Sequence, residues 1–270
     1  MRNINWLLVS SLGLGLAFVG NANAQEIAAS SAAAAPLATP AKAPVDPSAL
    51  PTIKDLIAKN DEAMGGSQAW SKVSTRRLKG IYQTEDASAF LGIEVFQKSP
   101  DKSLRRVTLP SGAVIRELCD GHDAWIEDVR GGYHPYEGAA LEARLRMAQY
   151  EDRGKALLLV ATGKVTGIQQ IGAHKTYVVE FVAMKNLVSR IYFDADTGYL
   201  VHTEDVFTTP DGPYTVKLDL DDYRSVDGLK FPFRMKVSEK GAIMTIRLTQ
   251  VTVNAPIDDS LFLKPESAPK

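Results

Sequence analysis

Alternation restricts this chain more than any other feature of its sequence. Phe231, Phe233, Met235 and Val237 interleave with Pro232, Arg234, Lys236 and Ser238, and Tyr214, Val216, Leu218 and Leu220 interleave with Thr215, Lys217, Asp219 and Asp221. A period of two gives each strand one dry and one wet face. Comparable runs lie near 76–84, 89–98, 103–109, 113–119, 123–129, 164–171, 174–182, 187–193, 199–208 and 242–253, joined by short polar or glycine-containing turns. The pattern predicts a meander of about ten to twelve antiparallel strands. Asp194-Ala195-Asp196-Thr197-Gly198 and Asp227-Gly228 are its clearest hairpin turns, because Asp and Gly tolerate positive φ. A calcium-loop reading of the first fails, since its glycine comes fifth where an EF-hand needs it sixth and β-runs flank it where helices should.

Two segments depart from the period. Ile53, Leu56, Ile57, Asn60, Ala63 and Met64 share one helical stripe, and Gly65-Gly66 supplies the stop. Gly65-Gly66-Ser67 is accordingly read as a helix end and not the start of another helix, so its amides are not set to cradle an anion. Between Glu137 and Val160 alternation lapses: Leu141, Arg144, Leu145 and Ala148 fall on one side of a helical wheel, Glu142 and Arg146 are spaced to pair, and Ala156 to Val160 is continuously apolar. The expected fold is mainly β with helices (α+β): a large curved antiparallel sheet forming an unclosed β-barrel, capped by helices on its concave side. Such a sheet encloses more room than its own side chains fill, so either helices or a ligand must occupy it.

The ends of the chain set its compartment. Met1-Arg2-Asn3, an apolar run from Trp6 to Gly20 and Asn21-Ala22-Asn23-Ala24 together predict a secretory signal peptide over 1–24, cleaved after Ala24. The run is short of the ~20 residues a membrane span needs, and no cysteine follows it, so the expected product is periplasmic and not a lipoprotein. Residues 25–51, rich in Ala, Pro and Ser, read as a disordered linker, 52–265 as the folded domain and 266–270 as a tail. Losing Arg2 leaves 30 of the 31 basic residues against 32 acidic ones, a formal charge of −2. With no basic excess, nucleic acid is not an expected partner.

No catalytic or cofactor signature emerges. The four histidines, His122, His134, His174 and His202, fall in different elements and form no paired-ligand motif. His122, Asp123, Glu127, Asp128 and His134 make the densest polar cluster, and a metal site there requires the two histidines to meet across a loop; a solvated hairpin is the alternative. No G-x-S-x-G elbow or phosphate loop occurs. The single cysteine, Cys119, lies beside Asp120 with no cationic sequence neighbour, which suits a core role. No catalytic residue, metal or cofactor is therefore assigned. A neutral container lined by Leu, Val, Phe and Met suits an apolar guest, since burial is worth roughly 25 cal/mol per Å² whether the surface is protein or lipid. The candidate ligand-lining residues are Trp125, Leu141, Leu145, Phe181, Phe193, Phe231 and Phe233.

Several segments carry a family resemblance. The stretch Ile57 to Trp70 followed by a strand ending Leu78-Lys79-Gly80, the turn Cys119-Asp120-Gly121-His122-Asp123-Ala124-Trp125, the hairpin Tyr192 to Leu200, the hairpin Asp222 to Pro232 and the closing stretch Val253 to Phe262 resemble bacterial exported proteins related to the outer-membrane lipoprotein carrier LolA. The resemblance spans about 52–265. It implies an unclosed β-barrel capped by helices that shields acyl chains of a lipid or lipoprotein, in a non-enzymatic carrier or binder. Arg76, Arg77, Arg105 and Arg106 are all candidates for the carrier's functional arginine. An envelope-stress sensor that contacts an inner- or outer-membrane protein partner, and a periplasmic metal-dependent hydrolase using His122 and His134, are the alternatives. A helix near 138–150, shifting to expose Leu141 and Leu145, is the expected lid.

Overall fold

A computed structural model describes residues 50–85, 90–148, 160–184, 187–209 and 212–264. The expected signal peptide, nearly all of the expected linker, the apolar stretch 156–159 and the tail lie outside them. The alternating runs form one sheet of 13 strands. In chain order these are β1 (Thr75–Thr84), β2 (Leu91–Lys98), β3 (Lys102–Thr108), β4 (Val114–Cys119), β5 (Ala124–Glu127), β6 (Tyr133–Pro135), β7 (Lys164–Ile171), β8 (His174–Met184), β9 (Leu187–Asp194), β10 (Leu200–Thr209), β11 (Gly212–Val226), β12 (Leu229–Glu239) and β13 (Ala242–Val253). Every pairing is antiparallel, and the order is β6-β5-β4-β3-β2-β1-β13-β12-β11-β10-β9-β8-β7. The sheet does not close, since β6 and β7 are its two edges. The first and last strands pair with each other, so β1 against β13 joins two meanders that advance in the same direction across the sheet.

Register assigns the faces. Leu78 faces both Val95 and Val251, Ile246 faces Met235, and Val237 faces Leu218. These side chains pack with Ile93, Leu187, Phe207, Phe231 and Phe233 in one buried cluster that reaches from β2 to β9. That side is the inner face. The helices lie on it: α1 (Ile53–Ala63), the short α2 (Ser67–Trp70) and α3 (Gly138–Ala148). Leu56, Ile53 and Ile57 of α1 pack with Val179, Phe181, Ile191 and Phe193, and Trp70 of α2 lies 5.1 Å from Phe231, ring centre to ring centre. On the outer face, Ile257 and Phe262 near the C-terminus cover Phe96, Leu104 and Leu118.

Helix α1 starts on a capping box, in which Thr52 and Asp55 each bond the other's backbone N–H. Its polar side chains then fix it across one pole of the sheet. Lys59 Nζ donates to Ala195 O at 2.6 Å and Asn60 Nδ2 to Gly198 O at 2.9 Å, both in the β9–β10 turn. The turn itself is built by Asp194, whose Oδ1 accepts from the Asp196 and Thr197 amides. At the other end of α1, Met64 O accepts from Lys230 N beside the β11–β12 turn. Gly65 lies so close to that turn that a Cβ would stand 2.6 Å from Gly228 O. The expected helix end at Gly65-Gly66-Ser67 is also the beginning of α2; a positive φ of 85° at Gly66 reverses the chain within one residue, which a helical wheel does not register. With four residues, α2 is too short to leave a periodic signal.

Candidate functional site

The pole carrying α1 and α2 is closed by helix, and the opposite pole consists of hairpin turns. There the inner face ends in Tyr82, Leu91, Ile93, Val107, Ile115, Phe207 and Tyr214, of which Ile93 and Phe207 are buried and the others half-buried. Phe207 and Tyr214, paired across β10 and β11, stack at 4.9 Å, and Lys240 Nζ lies 4.3 Å from the Tyr214 ring centre. Phe90, just before β2, is exposed.

The third helix is attached by charge. Leu141 and Leu145 of α3 pack with Cys119, Ala124 and Ala148, and between them Arg144 donates two hydrogen bonds to Glu117, at 3.0 and 3.1 Å. Glu117 also accepts from Tyr136 Oη at 2.8 Å and pairs with Arg105. All three charged groups are buried, so this is a desolvated carboxylate held between two guanidiniums. Burial, followed by the neighbouring Glu117 charge, pushes the Tyr136 phenol upward, which keeps it a donor. The Cys119 thiol is raised to about 11, first by burial. It is an inert core group, as the sequence suggests.

Besides Glu117, two carboxylates stand on the inner wall, among the apolar side chains of β9–β12. Asp205 faces Ser189 on β9 and Val216 on β11, and Val216 faces Glu239 on β12. Ser189 Oγ donates to Asp205 Oδ1. Burial raises the Asp205 carboxyl to about 6, against the opposing pull of the Ser189 hydrogen bond. Glu239 is 7% exposed. Neither was singled out from the sequence, although each occupies an inner position of an alternating run.

Of the seven expected lining residues, Phe181 and Phe193 lie together against α1, and Phe231 and Phe233 line the middle of the inner face. Leu141 and Leu145 sit on α3 over β4 and β5. Trp125 departs from that set. It faces Leu118, in register with Leu104 and Phe96, and belongs to the outer cluster beneath Ile257 and Phe262. In β5 both faces are apolar, so alternation alone does not say which side Trp125 takes. The four arginines separate the same way: Arg76 and Arg105 are buried on the inner face, whereas Arg77 and Arg106 lie over the Phe96 ring at 5.0 and 5.1 Å on the outer one.

The histidines stay apart. His134 pairs with Asp128 at 2.9 Å, His174 with Asp194 at 2.7 Å and His202 with Asp219 at 2.6 Å. His134 faces Ile126, while His122 occupies the β4–β5 turn at the far end of β5. Register thus works against the proposed metal pair, and among the described residues no group of three or more His, Cys, Asp and Glu side chains is arranged to hold a metal ion. Buried His202 belongs to an outer-face network centred on Glu204, which also meets Lys217, Tyr192 and Arg190. Its imidazole is raised: burial opposes the charged form, but Asp219 and Glu204 outweigh it.

The class these features define is an unclosed antiparallel β-barrel with one helix-capped pole and a helix strapped over its flank. No protein-family model matches the sequence, and no curated protein does. Solved structures do share its shape. A LolA superfamily protein from Nitrosomonas europaea superposes with a TM-score of 0.51 at 14% identity, over 80% of this chain and 99% of that one. A DUF1329 family protein from Desulfovibrio piger gives 0.56 at 11%, covering 81% and 98%. A domain from Vibrio parahaemolyticus named for outer-membrane lipoprotein sorting gives 0.53 at 10%, covering 77% and 94%. At these identities the likeness is one of fold, and the fold is LolA-like.

Proposed function

We propose that this chain is an exported, non-enzymatic protein of the periplasm that binds a lipidic or acylated ligand against the inner face of its sheet. The observation that carries the reading is the continuous apolar inner surface from β2 to β9, covered by helix at one pole and bordered by half-buried aromatics at the other. Phe181, Phe193, Phe231 and Phe233 form the wall, and Leu141 and Leu145 line the underside of α3, which acts as the movable cover. Trp125, on the outer face, is outside the site. An acyl chain entering such a surface gains about 0.8 kcal/mol per buried methylene, which suits reversible carriage of a long chain. The fold shared with a protein named for lipoprotein sorting supports the same chemistry.

The test is organic extraction of the mature protein, purified from envelope extracts without detergent, followed by mass spectrometry and by titration with a fluorescent acyl probe. A stoichiometric apolar molecule, or saturable probe binding weakened about tenfold by Phe231→Ala, is the expected result. A protein that retains nothing and binds no acyl probe is not a lipid binder. A stoichiometric envelope protein recovered in its place assigns the fold to partner sensing.

A further inference from the structure

We propose that the inner face carries a subsite for a cationic head group, formed by Asp205 and Glu239 on either side of Val216, so that the preferred ligand is an amphiphile with an ammonium group. The inference rests on the lipid-binding reading and specifies the ligand's polar end. Burying a carboxylate costs several kcal/mol unless a cation or a set of donors meets it. Glu239 is 7% exposed, projects from the same side of β12 as Met235 and Val237, and its carboxylate has no hydrogen bond or ion pair among the described residues. Asp205 projects from the same face and has the Ser189 hydroxyl as its hydrogen-bond donor. Among the described residues, no Lys or Arg stands within ion-pair distance of either group. Lys240, on the turn after β12, has its ammonium over the Tyr214 ring instead.

Alternate strands are separated by about 10 Å, so an ammonium seated over Val216 meets one carboxylate on each side. Both groups are acceptors only, which selects a donor and repels a carboxylate or phosphate. The wall around them, Phe207, Leu187, Val237 and Leu218, is apolar and buried, which strengthens the attraction and provides for the attached chain. The Phe207–Tyr214 stack next to the pair offers a ring face of the kind that already holds the Lys240 ammonium.

Three amphiphiles of equal chain length test this on the mature chain: decylammonium, decanol and decanoate, titrated at about pH 7.5, above the raised Asp205 value of about 6, and at about 0.15 M salt. Decylammonium is expected to bind at least tenfold more tightly than decanol, and decanoate more weakly than either. In the Asp205→Asn, Glu239→Gln double variant the ammonium and alcohol affinities should converge while decanol binding stays unchanged. The Asp123→Asn, Asp196→Asn variant, which removes two acids from exposed turns at the α1 pole, should keep the full preference and so exclude a general charge effect. Thermal melting of the double variant checks folding, with an unchanged or higher Tm expected since neither carboxylate has a cationic partner among the described residues. Equal binding of ammonium and alcohol by the wild type, or a preference that survives the double substitution, overturns the subsite. Failure of decanol and decylammonium alike to bind overturns the lipid-binding reading itself.

Discussion

Asp205 ties the stability of this protein to pH. Its carboxyl is raised to about 6 in the folded state, against about 3.9 in an unfolded chain. The folded state therefore holds this proton more tightly, and the group contributes most below the unfolded value and loses that contribution as pH rises through about 6. The loss is up to about 2 kcal/mol after allowance for residual solvent contact. Asp205→Asn should flatten the pH dependence of the denaturant midpoint between about pH 4 and 7, and an unchanged slope would show that the carboxyl is not desolvated. Glu117 is the shared acceptor for Arg105, Arg144 and Tyr136. Glu117→Ala leaves two buried guanidiniums facing one another and should cost about 3–5 kcal/mol in chemical denaturation. At Gly198, φ is 77° and a Cβ would stand 2.8 Å from Lys59 Cγ. The alternating pattern carries a trace of the acidic pair: after Phe231, Phe233, Met235 and Val237 the next inner position is Glu239, an acid where the series calls for a hydrophobe. What the sequence does not reveal is that Asp205 stands level with it, because that depends on registers across two intervening strand pairs.

Among the elements, α3 is the one whose attachment is polar and local. Among the described residues, Leu141, Leu145 and Ala148 pack against Cys119, Ala124 and Tyr136, and Arg144 pairs with Glu117. Amide exchange should be faster in α3 than in β11 and β12, and Arg144→Met should accelerate α3 while leaving the central strands at their original rates. A uniform acceleration would mean that α3 is not an independent unit. Element positions were readable to within a few residues wherever alternation or a helical stripe persisted: the runs expected over 164–171 and 242–253 coincide with β7 and β13, and the helix near 138–150 with α3. Missing were α2 and β6, of four and three residues, which are shorter than one full period of either template needs to be recognised. The side chosen by Trp125 was hidden for a related reason, since β5 has hydrophobes on both faces and its outer partner, the segment around Phe262, comes from more than a hundred residues away in the chain.

At the scale of the whole molecule, the arrangement of a sheet with two edges and a helix-capped pole predicts a gradient of protection. Exchange should be slowest in β1 and β11–β13, at the centre of the strand order, and should quicken towards β6 and β7. Alternation predicted the antiparallel direction of the strands and about ten to twelve of them against the 13 observed, but not their order, because a simple meander would have put β1 at an edge. Register between β1 and β13 is a non-local event, and nothing in either segment alone announces it. A chain ending before Ala242 is expected to lose cooperative unfolding, read as a broadened denaturant transition with a reduced slope.

That seam between the opening and closing strands also dictates when the container can come into being. In sheet pairing among the described residues, strands β2–β6 reach the rest through β1, and β1 reaches the other half through β13. When the chain emerges from N- to C-terminus, the earlier half of the sheet has no partner strand for β1 until β13 arrives. Its apolar side stays uncovered until the last strand has zipped the two halves together.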